Sequence, residues 1–252
     1  HSTAILGALM NFPDSRFAIL TNESIEASFK PLNETYRNIL PIFGAHPLSN
    51  LFNQNPILLV EGDDDVRIWQ QVIRTTNGEI KFYPCSVGGV DHMNEHETSV
   101  IEIIKGVYDD AKAFSLRDKD DSSENIDDIL PLIRFKLSCR AAENLFLTDE
   151  VLSSLDTTWD TLQLDIEKWL VSYPEHQYFS TMEAFKKSNY DRKEFDLKDA
   201  RNILIGLVTS KPWEVAVGQV IGKLVLKQLP LNFNINKLCN YLGNKLTNHL
   251  RV

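Results

Sequence analysis

The stretch ILLVEGDDDVRIW, residues 57–69, decides how the rest of the chain reads. Four apolar residues run into a glutamate and a glycine, three aspartates follow, and an apolar pattern resumes at Val66. A continuous apolar run of this kind is a strand buried on both faces. Val66, Trp69, Val72 and Ile73 then recur at helical spacing, with acids in the first turn, where the helix dipole favours negative charge. That explains Asp63 and Asp64 as first-turn acids. It leaves open why Glu61, Asp63, Asp64 and Asp65 put four carboxylates within five positions, since such a cluster repels itself unless protonated or neutralised by cations.

Working outward, EIKFYPCSV reads as a second strand closed by Gly88-Gly89, and HETSVIEIIKGVYDD as a second helix. AKAFSLRDKDD is a third strand running into acid, SSENIDD a loop, and IRFKLS a fourth strand. Strand and helix alternating at this spacing predict an α/β fold, a Rossmann-like parallel sheet with crossover helices. After Arg140 the pattern is helical throughout, from AAENLFL to INKLCNYLGNKLTNHL. Residues 1–55 read as a lead-in, 56–150 as the α/β core and 151–252 as a helical subdomain completing the site. The lead-in combines a short apolar helix, a strand at RFAIL and a loosely amphipathic ETYRNILPIF.

Length and composition are those of a globular protein: 252 residues, 43% apolar and 24% charged. A net charge of −9 disfavours a protein coated in basic surface and permits a local basic groove. Cys85, Cys139 and Cys239 are widely spaced and form no CxxC pair, so they read as reduced thiols of a cytoplasmic protein. No apolar run approaches a membrane span. The chain opens at His1 without an initiator methionine and reads as a piece of something longer.

In an open parallel sheet, ligands bind beyond the carboxyl ends of the strands. The first strand ends at Glu61 and the third at Asp118-Lys119-Asp120, whose two aspartates face the same way if extended. Asp65 lies one helical turn beyond Glu61. Mg²⁺ or Mn²⁺ suits such oxygen donors, and two ions about 3.5–4 Å apart are a recurring device of phosphodiester chemistry.

Strand-EG, a GG turn and strand-DxD, in this order and spacing, resemble the Toprim fold of topoisomerases, primases and several nucleases. LVEGDDDVRIW is similar to the Toprim domain of the overcoming-lysogenisation-defect (OLD) nucleases, bacterial and phage proteins. The resemblance implies that Glu61, Asp65, Asp118, Asp120 and Glu143 hold the metals, Glu143 through CRAAENLFLTDEVL. It implies that Glu61 is also a general base, and that Lys223, in PWEVAVGQVIGKL, is a catalytic lysine facing phosphate. Ala141 stands where that family has a serine. The family also implies a preceding ABC-type ATPase domain, with His1 as its switch histidine, and a homo-oligomer in the full-length protein. No GxxxxGK[ST] loop occurs, so the chain carries no ATP site of its own.

The expected function is therefore a Toprim nuclease acting on DNA or RNA, the effector part of an ATPase-coupled anti-phage protein. The alternative is a non-catalytic Toprim module that binds or regulates an ATPase partner. HMNEH, residues 92–96, matches a zinc-protease pattern without a third ligand, so His92 and His96 read as surface or groove residues. Trp159, Trp169 and Trp213 read as core. Lys186, Lys187, Arg192, Lys193, Lys211, Lys223 and Lys227 are the cations that could follow a phosphate backbone.

Overall fold

The computed structural model describes residues 16–17, 30–31, 56–105, 112–122, 124 and 126–251. Of the lead-in it describes two short antiparallel strands, β1 (Arg16–Phe17), inside RFAIL, and β2 (Lys30–Pro31). The expected apolar helix, the amphipathic stretch and His1 lie outside the described residues.

The fold is α/β. β3 (Ile57–Val60), β4 (Tyr83–Ser86), β5 (Ala113–Arg117) and β6 (Leu132–Lys136) form one sheet in the order β4-β3-β5-β6. β3 is parallel to both neighbours, with Ile57 opposite Tyr83 on one side and Ala113 on the other. Its four residues are at most 2% exposed, which is why the run carries no polar residue. Between the strands come α1 (Asp63–Thr75) and α2 (Val90–Lys105). Ile57 and Leu59 meet Met93, Val100 and Ile104 of α2 on one face. By the two-residue alternation Phe114 belongs to the other face, where it stacks on Phe135 at 5.9 Å and meets Phe82 edge-on at 5.2 Å.

The rest is helical: a 3₁₀ helix (Ala142–Leu147), then α3 (Asp149–Ser154), α4 (Trp159–Ser172), α5 (Phe179–Lys187), α6 (Arg201–Val208), α7 (Trp213–Val225), α8 (Leu238–Leu242) and α9 (Asn244–Leu250). INKLCNYLGNKLTNHL, expected as one helix, is two, because Gly243 breaks it at φ +83°. Trp213 is 5% exposed and buried in the core, whereas Trp159 and Trp169 are half-buried.

The chain divides into two compact units. One comprises His1–Val66, Lys81–Arg117 and Ile126–Phe135 and contains nearly all of the sheet. The other comprises Arg67–Ile80, Asp118–Asn125 and Lys136–Val252. Within the second, α7 runs alongside α1 and in the same direction. Arg67 pairs with Glu214 at 3.2 Å, and a Cβ on Gly218 would sit 2.5 Å from the Ile68 carbonyl oxygen. One on Gly222 would sit 2.6 Å from the Thr75 side chain, so both glycines permit the close approach.

Candidate functional site

The first acidic turn follows β3 directly. Glu61 is half-buried, and its carbonyl oxygen accepts the Gly89 amide at 3.0 Å and the Ser86 hydroxyl at 3.5 Å. Gly88 and Gly89 take φ of +77° and +126°, so the GG pair is there to make that turn. Gly62 precedes α1 as its N-cap, and Asp65, three residues on, accepts the Gly62 amide through Oδ2 at 3.0 Å. That is the return half of a capping box. Asp63 and Asp64 lie in the first turn as expected, and Asp65 shares that turn and makes the capping bond.

The second acidic turn follows β5 directly. Asp118 Oδ1 accepts the Ala142 amide at 3.0 Å, and the Asp120 amide donates to the Arg140 carbonyl at 2.8 Å. Asp120 has φ +47°, a left-handed conformation that aspartate tolerates better than most residues. The aspartates are therefore not the extended pair that DxD spacing suggested. A turn begins between them, and it is held against the segment 140–142.

Glu143 belongs to that same segment. Its side chain is 13% exposed, and Oε1 lies 3.3 Å from Arg201 Nη1 at the start of α6. The guanidinium also lies over the Trp213 ring, 5.7 Å from its centre. Next to Glu143, Asn144 is fully buried: its Oδ1 accepts the Ala141 amide at 3.1 Å, and its Nδ2 donates to the Arg192 and Phe195 carbonyls at 2.9 and 3.0 Å. Ala141 therefore contributes backbone where a serine would add a hydroxyl. Cation pairs continue around this turn, Lys119 with Glu194 at 2.6 Å and Arg140 with Asp121 at 2.6 Å. Neither Arg201 nor Asn144 was singled out as a functional residue by sequence reasoning.

Lys223 is exposed in the last turn of α7, and its neighbour Gly222 is the residue that packs on Thr75. Thr75 is ten residues beyond Asp65 on α1, about 15 Å along the helix axis at 1.5 Å per residue. The other end of α7 carries Trp213 and Glu214, and Lys211 is exposed just ahead of it. The remaining cations expected to face a backbone are largely engaged within the protein. Lys186 pairs with Glu167, Lys187 with Glu183, and the buried Arg192 with Asp149 at 2.9 Å. Lys193 Nζ donates to Asn240 Oδ1 at 2.6 Å, and burial lowers its pKa.

His92 is exposed, but His96 is only 5% exposed, which corrects the reading of both as surface or groove residues. Its Nδ1 lies 2.8 Å from the His92 carbonyl oxygen, one helical turn back. All three cysteines are free and buried, and burial pushes each thiol upward, as expected of inert reduced thiols.

The candidate donors are carboxylate oxygens alone, the set that suits a hard cation such as Mg²⁺ or Mn²⁺. In donor type the residues fit the ion: Glu61 and Asp65 in one unit, Asp118, Asp120 and Glu143 in the other. Within either unit, among the described residues, no three His, Cys, Asp or Glu side chains gather into a metal-holding group. Among the described residues no helix is long and apolar enough to cross a membrane. No family model, curated protein or solved structure matches this chain.

Proposed function

We propose that this chain is a Toprim-fold, metal-dependent nuclease region of the OLD type, hydrolysing phosphodiester bonds in DNA or RNA. One observation carries the reading. Parallel neighbours β3 and β5 each run without an intervening residue into a carboxylate, Glu61 and Asp118. Ligands of open α/β sheets bind at that edge, beyond the carboxyl ends of the strands. In this reading Glu61, Asp65, Asp118, Asp120 and Glu143 would hold Mg²⁺ or Mn²⁺, which when bound polarises a phosphoryl oxygen as a Lewis acid.

The chain's own groups do the rest. Asp118 is oriented by the Ala142 amide, which holds its Oδ1. The capping bond fixes Asp65 in the same manner. Glu61 accepts the proton of the attacking water as general base. The cation expected to face phosphate is Lys223, which is exposed in the last turn of α7. A lysine ammonium there is a compact point charge for phosphate. An ABC-type ATPase domain or subunit, with homo-oligomerisation, belongs to the same proposal.

The test is a cleavage assay on supercoiled plasmid and on total tRNA, with Mg²⁺, Mn²⁺ or EDTA. The informative variant is Asp120→Asn, because asparagine keeps the left-handed backbone while losing the charge. Cutting should require metal and should fall in the variant by more than the roughly 10- to 100-fold that outer-shell partners of a metal cost. Equal cutting by both proteins overturns the assignment. A second reading, a Toprim module that binds without turnover, is favoured by Ala141 and by the arginine already on Glu143. Metal binding with no cleavage of any nucleic acid supports that one.

A further inference from the structure

We infer that the chain self-associates through two unlike patches of its helical part, the loop before α8 on one copy and the outer face of α4 on another. The inference is independent of the nuclease reading, since it uses neither the acidic turns nor a metal.

Apolar exposure is concentrated at these two places. Among the described residues eight large hydrophobic side chains are exposed, and six of them belong to the two patches. In the loop they are Leu231, Phe233 and Ile235, between 38% and 79% exposed. Hydrogen bonds pin this loop: Asn240 Nδ2 donates to the Phe233 carbonyl at 2.9 Å, Asn232 Oδ1 accepts the Asn234 amide at 2.9 Å, and Arg251 Nη1 donates to the Leu229 carbonyl at 3.0 Å. Polar groups hold the loop while apolar ones face water, the reverse of the usual partition. On α4, Leu164 and Val171 are 62% and 83% exposed, seven residues apart and so on one face, and the exposed Tyr173 follows. Apolar side chains gathered in this way mark a contact surface.

Charge selects what covers them. The chain carries a net −9, yet residues 215–252 hold five Lys and Arg and no Asp or Glu. Lys237 is paired with Asp149 at 3.0 Å, whereas Lys227 and Arg251, at either end of the loop, form no ion pair among the described residues. Beside the α4 face the exposed Asp156, Asp160 and Glu175 are likewise without one. Asp160 lies one turn before Leu164, on the same side of the helix. The other charges there are already matched, Lys168 with Asp165 at 2.7 Å and Glu167 with Lys186. An apolar loop edged with cations therefore fits an apolar helix face edged with acids, and every copy carries both. A lipid surface would have to bury Asn234, exposed between Phe233 and Ile235. Single-stranded nucleic acid would find one aromatic ring among the three side chains on which to stack. The contact joins unlike patches, so it either occurs twice in a twofold dimer or propagates.

The test is sedimentation equilibrium of the whole chain at low and high salt, for wild type, Phe233→Ser/Ile235→Ser and Leu164→Ser/Val171→Ser. The four side chains are exposed, so urea unfolding of both variants should stay near wild type. Wild type should associate, more weakly as salt rises. Each variant should weaken association at least about tenfold, the loss expected for an apolar anchor of an interface. Mixing the two variants should restore association, because each supplies the patch that the other lacks. A wild type that stays monomeric overturns the inference, and so does association that salt leaves unchanged. Loss in one variant only, or no rescue on mixing, means that like patches meet or that the contact lies elsewhere, and overturns it as well. A monomer that instead sediments with phosphatidylserine vesicles or with oligothymidylate assigns the loop to a lipid or nucleic-acid partner and overturns the self-contact.

Discussion

Glu97 and Glu143 are both paired with arginine, and they are held in different ways. Glu97, on α2, is 2% exposed and receives Ser115 Oγ at 2.6 Å, Arg117 Nη2 at 2.8 Å and Arg134 Nε at 3.1 Å. It ties α2 to β5 and β6. Glu143 meets Arg201 in one contact of 3.3 Å and stays partly open to solvent. A carboxylate taken out of water needs its lone pairs filled, or the desolvation cost is not offset. Saturation of that kind marks a structural charge. A single long contact marks a carboxylate that can change partners.

The largest expected effect tests the saturated side. Glu97→Ala leaves Arg117 and Arg134, 11% and 14% exposed, facing each other without their shared counter-charge. Removing one partner from a buried pair costs about 3–5 kcal/mol. Urea denaturation should show a loss of that size, and a loss under about 1 kcal/mol would break the comparison.

The next effect separates neighbours in sequence. Asn144 adjoins Glu143 but is saturated like Glu97, with one amide donor and two carbonyl acceptors filling its side chain. Asn144→Ala strands those backbone groups and should cost about 1–3 kcal/mol in the same titration. The segment should then lose its grip on the 192–195 loop, with faster amide exchange at Phe195 as a second readout. Unchanged stability would mean that these bonds are replaced by water.

How much of this could be read beforehand follows from which facts are local. The strands and α1 were legible because burial on two faces leaves no polar residue between 57 and 60, and the helix repeat follows at once. Glu61 and Asp118 were legible as strand ends for the same reason. The pairing of Glu143 with Arg201 spans 58 residues and is set by where α6 packs, which no local period encodes. Lys223 was chosen from the resemblance of PWEVAVGQVIGKL to a family segment, which no local period tests. Periodicity gives the buried stripe of α7 but not the helix it packs on, so the close approach at Gly218 and Gly222 was not legible. His96 and Glu97 did leave a signal. They fall within the Met93, Val100 and Ile104 spacing of α2, the face turned to the sheet. The charged letters at those positions disguised a buried face, and only β5 and β6 reveal what neutralises it.

The smallest expected effect completes the comparison, and it is the one that most constrains function. Glu143→Gln removes the charge but keeps the size and an acceptor oxygen for Arg201. Arg201 keeps 27% of its side chain in solvent and keeps the Trp213 ring, so the lost pair resembles an exposed one, worth about 0–1 kcal/mol. Measured by the same urea titration, the variant should unfold close to wild type while Glu97→Ala falls far below it. A loss matching that of Glu97→Ala would show that Glu143 is a structural anchor, and would withdraw it from the proposed ligand set. Stability close to wild type leaves a nearly buried carboxylate on which the fold does not depend. Its position beside the segment that orients Asp118 then needs another explanation, and cation binding supplies one.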